Sequence, residues 1–122
     1  MASKIQVQVT INDKVYHVNF INCKLTSSIV SMMPLTLNFT RALEREYYCQ
    51  LPQKAGPVDL KTTFDAHKNS LYYFEAWNAM SMFYNDANTS PDEIYNIGEY
   101  EEDISEILKE QGDKLTIKFE KA

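Results

Sequence analysis

Arginine is nearly missing from this chain: Arg41 and Arg45 are the only two in 122 residues. Guanidinium forks for phosphate therefore have little to work with. The formal net charge of −5 points the same way, because a phosphate-backbone partner draws on surplus lysine and arginine. Nucleic acid is not an expected partner. Cysteine is as scarce. Cys23 and Cys49 are too few and too far apart for a metal or redox motif, and they read as two half-buried free thiols rather than a disulfide. No metal and no cofactor is expected. No apolar run approaches the ~20 residues that span a bilayer, and no basic-then-apolar leader precedes the first strand pattern. The chain is expected in the cytoplasm, off the membrane. Repeats and low-complexity tracts are also missing, which excludes solenoids.

What is present is an ordinary globular composition, 44% hydrophobic and 24% charged. The length indicates a single domain over residues 1–122. A chain of this size buries roughly two-thirds of its unfolded surface, enough for a core without staples.

Residues 71–84 concentrate six of the fifteen aromatics. Two β-rich runs flank Asn78-Ala79, which reads as a two-residue hairpin turn, although Ala79 would take a conformation that glycine prefers. That turn sets Trp77 opposite Met80, Glu75 opposite Met82 and Tyr73 opposite Tyr84. The period of two gives the hairpin two apolar faces. One carries Phe74, Ala76, Ser81 and Phe83. The other carries Tyr73, Glu75, Trp77, Met80, Met82 and Tyr84.

Around this hairpin the chain alternates. Ile5, Val7, Val9 and Ile11 share one side of a first strand over residues 4–11, and Tyr16, Val18 and Phe20 one side of a second over 15–20, joined by turn residues 12–14. His17 falls on the polar side and reads as a solvated strand residue. Residues 25–33 change to a helical period, with Thr26 as N-cap and Pro34 as the stop. Leu35, Leu37 and Phe39 mark another strand. Residues 41–46 read as a charged connection, 46–51 as a strand and 52–61 as a surface loop. Phe64 is a short strand or a loop anchor, and His67 an exposed loop residue. Ser90-Pro91-Asp92-Glu93 has capping-box spacing and is expected to form one helical turn. Residues 94–98 read as a strand. Residues 101–111 read as a helix with an apolar stripe of Ile104, Ile107 and Leu108, acids in its first turn and Gly112 at its C-cap. Leu115, Ile117 and Phe119 alternate in a final strand. The sequons at Asn38 and Asn88 carry no weight without an export signal.

Many short strands with few edges indicate a mainly β chain closed into a small barrel, its openings covered by two short helices. Interior candidates are Val7, Val9, Val18, Phe20, Leu35, Leu37, Phe74, Phe83, Leu115 and Ile117.

An ordered set of segments carries a resemblance: Met33-Pro34-Leu35-Thr36-Leu37, the run from Trp77 ending in Phe83-Tyr84-Asn85-Asp86, and Ile97-Gly98 followed by a short helix and Lys114-Leu115-Thr116-Ile117. The set resembles the small bacterial cyclophilin-like domain family, over residues 4–120. The resemblance implies a closed cyclophilin-like β-barrel of about eight strands with a helix at each end, in a family mostly without an assigned activity. True cyclophilins are peptidyl-prolyl isomerases, and their catalytic arginine lies on the strand that here resembles residues 46–51. No arginine stands on it. The asparagine- and glycine-rich signature of those enzymes is also missing, and only Phe83-Tyr84 resembles their aromatic pair.

The function expected is therefore a binding module, non-enzymatic or weakly active. It would hold a small molecule or an extended peptide on the face of Tyr73, Glu75, Trp77, Met80, Met82 and Tyr84. The competing reading packs that face as core, with Glu75 escaping to the rim. A weak or atypical prolyl isomerase is the second hypothesis. Hydrolytic chemistry on His67 with Asp65 or Glu75 is the third, and no serine or cysteine stands in a nucleophile motif for it. No catalytic residue is assigned, and the oligomeric state stays open.

Overall fold

The computed structural model describes residues 4–122. Asn12 and Asp13 take left-handed backbone conformations, φ 50° and 68°, which asparagine and aspartate tolerate. They join β1 (Lys4–Ile11) to β2 (Lys14–Ile21) in the turn geometry that matches strand twist. After α1 (Lys24–Val30) come β3 (Leu35–Ala42), β4 (Glu46–Gln50), β5 (Asp65–Ala66), β6 (Ser70–Phe74), β7 (Ala79–Phe83), β8 (Ala87–Asn88), β9 (Tyr95–Tyr100), α2 (Ser105–Lys109) and β10 (Lys114–Lys121). Eight strands close a barrel in the order β1-β10-β3-β4-β7-β6-β9-β2, with every pairing antiparallel. Strands β5 and β8 form a separate two-stranded sheet. No helix among the described residues is long and apolar enough to cross a membrane.

Alternation fills the barrel. Val7, Val9, Val18, Phe20, Leu35, Leu37, Leu115 and Ile117 all join one core, as expected, together with Leu25 and Ile29 of α1 and with Ile104 and Leu108 at α2. Gly98 pairs with Phe20, and a Cβ there would stand 2.8 Å from the Phe20 ring, so close approach explains the glycine. Phe74 and Phe83 are an exception to the expected interior. They belong to a second cluster with Tyr72, Ala79, Ala66 and Ile94, on the outer face of β6 and β7. The polar 62–69 and 85–94 segments cover that face because they contain β5, β8 and the Thr63–Ile94 bridge.

The central hairpin has its two apolar faces, but its turn differs from the two-residue reading. Phe74 faces Ala79, Tyr73 faces Met80 and Leu71 faces Met82. Glu75–Trp77 form a 3-10 turn, and Asn78 alone takes the left-handed conformation. Ala79 is thereby spared the geometry it tolerates poorly. Asn78 is fixed in place: its Oδ1 accepts from Tyr73 Oη at 2.6 Å and from the Ala55 N–H at 3.0 Å, and its Nδ2 donates to the Gln53 carbonyl at 2.7 Å. The slip is an even number of residues, so the side chains that remain in strands keep their faces.

Other boundaries move for local reasons. Cys23, not Thr26, caps α1; Thr26 is the buried third helical residue, receiving the Cys23 N–H and donating to the Ile21 carbonyl. Strand β3 runs on through Arg41 to Ala42, and Leu43 and Glu44 make the turn with positive φ. Residues 89–92 form a non-helical turn closed by the Asp92 N–H on the Thr89 carbonyl. The last helix is only Ser105–Lys109, and Ile107 is half-buried while Ile104 and Leu108 are fully buried. The acids ahead of it are attachment points, not first-turn charges. Glu102 takes the His17 backbone N–H at 2.9 Å and its ring Nδ1 at 3.0 Å, so His17 is half-buried and partnered rather than simply solvated. Desolvation pushes the Glu102 carboxyl up, yet the His17 bonds outweigh it and hold the group below its usual value.

Arg41 closes the same end. Its Nη2 reaches Tyr47 Oη at 2.9 Å, the Leu108 and Lys109 carbonyls at 3.0 Å each, and the Gln111 carbonyl. Tyr47 Oη in turn donates to the Gly112 carbonyl at 2.6 Å. One guanidinium thus gathers the carbonyls around the end of a five-residue helix, adding to the Gln111 N–H that already reaches the Leu108 carbonyl.

Candidate functional site: an outer-face groove around Trp77

The six residues expected to share a site do not stay together. Tyr73, Met80 and Met82 are fully buried and Tyr84 is 3% exposed, all within the barrel core. Glu75 and Trp77 leave the strand pattern in the 3-10 turn and stand on the outer surface. Trp77 is 56% exposed. It stacks on Phe74 with ring centroids 5.5 Å apart and planes inclined by 17°. The turn length decides this split, because three further residues in strand would have carried both side chains inward.

Three adjoining depressions meet at Trp77. The largest, about 440 Å³, is lined by Phe74, Glu75, Trp77, Asp92, Glu93 and Tyr95. A second, about 370 Å³, includes Asn38, Tyr48, Cys49 and Gln50. A third, about 240 Å³, lies between Leu43, Arg45, Glu46, Tyr48, Phe74, Trp77 and Asp92. Leu43 and Tyr48 are exposed there beside the tryptophan, so three of the exposed large hydrophobic side chains line one depression.

The polar groups of the groove are unevenly partnered. Tyr95 Oη donates to Glu75 Oε1 at 3.3 Å, and Lys54 Nζ reaches the Glu75 backbone carbonyl at 3.5 Å. Glu46 is 6% exposed and begins β4 on the outer face, across the ladder from Phe83. Its Oε2 lies 3.4 Å from Arg45 Nε, within ion-pair range but without a directed hydrogen bond. Ser81 Oγ is buried beside them, outside strict hydrogen-bond geometry but close enough to act on the Glu46 carboxyl. The Arg45 guanidinium also sits over the Phe83 ring at 5.7 Å. Desolvation raises the Glu46 carboxyl above its ordinary value; Arg45 and Ser81 oppose the rise and Asp92 adds to it. Burial likewise raises the Cys49 thiol, which makes it a poor nucleophile. Both cysteines are free.

Three groups of the alternative chemistries are placed by the same geometry. His67 is an exposed loop residue. The carboxylates considered for it bond elsewhere, Asp65 to Asn88 and Glu75 to Tyr95. Among the described residues no three His, Cys, Asp or Glu side chains cluster so as to hold a metal ion. Glu46, Arg45, Leu43 and Tyr48 went unnoticed as site residues, because their meeting with Trp77 depends on the β4–β7 pairing. The alternation of Glu46, Tyr48 and Gln50 along one face of β4 was the available signal.

The model of the Cyclophilin-like family matches residues 9–120. The chain belongs to the Cyclophilin-like family. Among solved structures this cyclophilin-like domain is similar to the solution structure of a hypothetical protein from Archaeoglobus fulgidus. The TM-score is 0.75 at 14% identity, with 100% of this chain and 98% of that chain covered. That likeness supports the barrel fold. No curated protein matches. Strand β4 consists of Glu46, Tyr47, Tyr48, Cys49 and Gln50 and holds no arginine. The two arginines of this cyclophilin-like domain flank the turn before that strand, Arg41 bound to the end of α2 and Arg45 beside Glu46.

Proposed function

We propose that this cyclophilin-like domain is a binding module that holds a small molecule or an extended peptide in the outer-face groove around Trp77. The observation that carries the reading is the half-exposed Trp77, stacked on Phe74 where three depressions meet. An aromatic side chain with a polar tip offers large contact area at small entropic cost, which suits recognition. The expected seat keeps Glu75 and Trp77 and replaces the buried Tyr73, Met80, Met82 and Tyr84 with Leu43, Tyr48, Phe74 and Tyr95. We also place the domain in a reducing compartment such as the cytoplasm, where two free thiols persist. The test is a metabolite and peptide screen read by the indole N–H resonance of Trp77, the only tryptophan. A saturable shift that Trp77→Ala removes from a ligand-observed signal supports the reading. A screen in which nothing binds saturably, or in which binders survive Trp77→Ala with unchanged affinity, refutes it.

A further inference from the structure

Strands β3 and β4 pair over a short ladder, Thr40 with Tyr48, Arg41 with Tyr47 and Ala42 with Glu46. Beyond Thr40 and Tyr48 they part, and the second depression, about 370 Å³, opens there with Asn38 of β3 and Gln50 of β4 in its lining. It differs from the other two in two ways. Carboxylates line both of those, whereas no side chain lining this one carries a formal charge. Trp77 borders all three, but Phe74 borders only the other two. Phe74 stacks on one face of the indole, so the face turned away from it fronts the uncharged depression, beside the exposed Tyr48. The polar side chains here are neutral and held in place. Gln50 Nε2 donates to the Trp77 carbonyl at 3.2 Å, Asn38 Oδ1 accepts from Thr116 Oγ1 at 2.8 Å, and Thr40 Oγ1 accepts from Lys114 Nζ at 3.1 Å. Among the described residues those bonds leave Gln50 Oε1 as an acceptor, and Asn38 Nδ2 and the Tyr48 hydroxyl as donors, to serve a ligand.

We infer that this depression takes a neutral saccharide, with one face of a pyranose ring against Trp77 and its hydroxyls bonded to Asn38, Tyr48 and Gln50. This rests on the binding-module reading and names its ligand class. A pyranose has an apolar C–H face and a polar hydroxyl rim, the pairing that an exposed indole beside amides and hydroxyls complements. Its C–H bonds, made weakly positive by the neighbouring oxygens, meet the negative face of the aromatic ring. An ionic ligand would give up hydration here for an uncharged lining that does not repay it. A wholly apolar ligand would strip water from the amides of Asn38 and Gln50 and return no hydrogen bond. The volume, near the lower end of ordinary ligand sites, suits a mono- or disaccharide.

The experiment titrates the full chain with methyl β-glucoside, methyl β-galactoside, N-acetylglucosamine, cellobiose and lactose, beside glucuronate, glucosamine and the open-chain sorbitol, and follows the Trp77 indole resonance near neutral pH. At least one neutral sugar is expected to shift it saturably, binding about threefold or more tightly than glucuronate, glucosamine or sorbitol. Tyr48→Ala and Gln50→Ala should each weaken that sugar about two- to tenfold. Asp92→Asn, which lines only the other two depressions, should leave it unchanged. Should Tyr48→Ala fail to fold, Gln50→Ala at the exposed end of β4 carries the expectation. Sorbitol binding as tightly as the best sugar would overturn the stacked ring. Tighter glucuronate would overturn the neutral seat in favour of Lys114 as an anchor, and tighter glucosamine in favour of the carboxylates of the neighbouring depressions. A sugar whose affinity neither Tyr48→Ala nor Gln50→Ala reduces would place the seat elsewhere and refute the inference. No shift by any sugar, while a wider screen still finds a ligand on Trp77, would also refute the inference and spare the module.

Discussion

Arg41 offers the sharpest check on how the barrel end is held. Its guanidinium serves Tyr47 Oη and the carbonyls of Leu108, Lys109 and Gln111. Replacement by methionine keeps much of the apolar stem and removes every donor. Nη2 has two hydrogens for four oxygens, so the bonds are shared, and about two charge-assisted bonds is a fair count for it. Each such bond contributes about 1.5–3 kcal/mol when the site is shielded. Arg41 is half-buried, and water can reach some of the freed carbonyls, which pulls the loss to about 2–3 kcal/mol. For a domain of this size that is about 6–15 °C in Tm. Far-UV circular dichroism through a urea titration reads it directly. Arg41→Lys should recover only part of the loss, since an ammonium cannot span the same acceptors. Tyr47→Phe should couple to Arg41→Met by about 1 kcal/mol in a double-mutant cycle, because the two side chains share a bond. A shift for Arg41→Met within about 0.5 kcal/mol would refute the reasoning, and would mean that the end of α2 is satisfied by solvent.

Leu108→Ala should destabilise by about 2–5 kcal/mol and Ile107→Ala by about 1 or less, since only Leu108 is fully buried; equal midpoints in urea would contradict this placement. Glu46, raised in the folded state, contributes stability that is full below the ordinary carboxyl value and is lost as pH rises through the folded value. Glu46→Gln should therefore gain on the native chain as pH rises above the ordinary carboxyl range, and a pH-independent difference would count against the burial argument. Prolyl isomerase turnover on a standard proline peptide should be absent or far below that of true cyclophilins, because Arg41 is engaged at α2 and Arg45 lies against Glu46; robust turnover lost in Arg45→Ala would show otherwise. Trp77 fluorescence should be quenched more by caesium than by iodide, because Glu75, Asp92 and Glu93 line its depression; the reverse order would mean that Arg45 or Lys54 dominates there.

The barrel was largely legible in the chain because its strands alternate cleanly. Val7 and Val9, Leu35 and Leu37, Leu115 and Ile117 each pair an inward side chain with outward lysine, threonine, glutamine or asparagine neighbours. The two-sided character of the hairpin was legible for the same reason. Its turn was not. Asn78 holds its left-handed backbone through bonds to Tyr73, Ala55 and Gln53, and two of those partners lie in a loop more than twenty residues away. Helix α2 was overestimated because Glu101, Glu102 and Asp103 look like first-turn acids; their bonds to Gln6, His17 and Ser105 depend on distant or local partners that periodicity does not reveal. The candidate site was half legible. Glu75 and Trp77 were named, but Leu43, Glu46 and Tyr48 reach them only through the β4–β7 ladder, a contact that no local pattern encodes.

Strand β10 lies between β1 and β3 in the closed barrel, with Phe119 facing Val9 on one side and Leu35 on the other. The sheet therefore closes only when the barrel's last strand in sequence order inserts between two of its first. Until then β1 and β3 each present an unpaired edge. Contacts this distant in sequence make for slow folding and for a period in which the nascent chain is vulnerable to edge-to-edge association. Lys4 at the start of β1 and Arg41 near the end of β3 are the formal charges those two strands carry while they wait. A cell making this small domain quickly would depend less on its final stability than on how long those two edges stay apart from their partner.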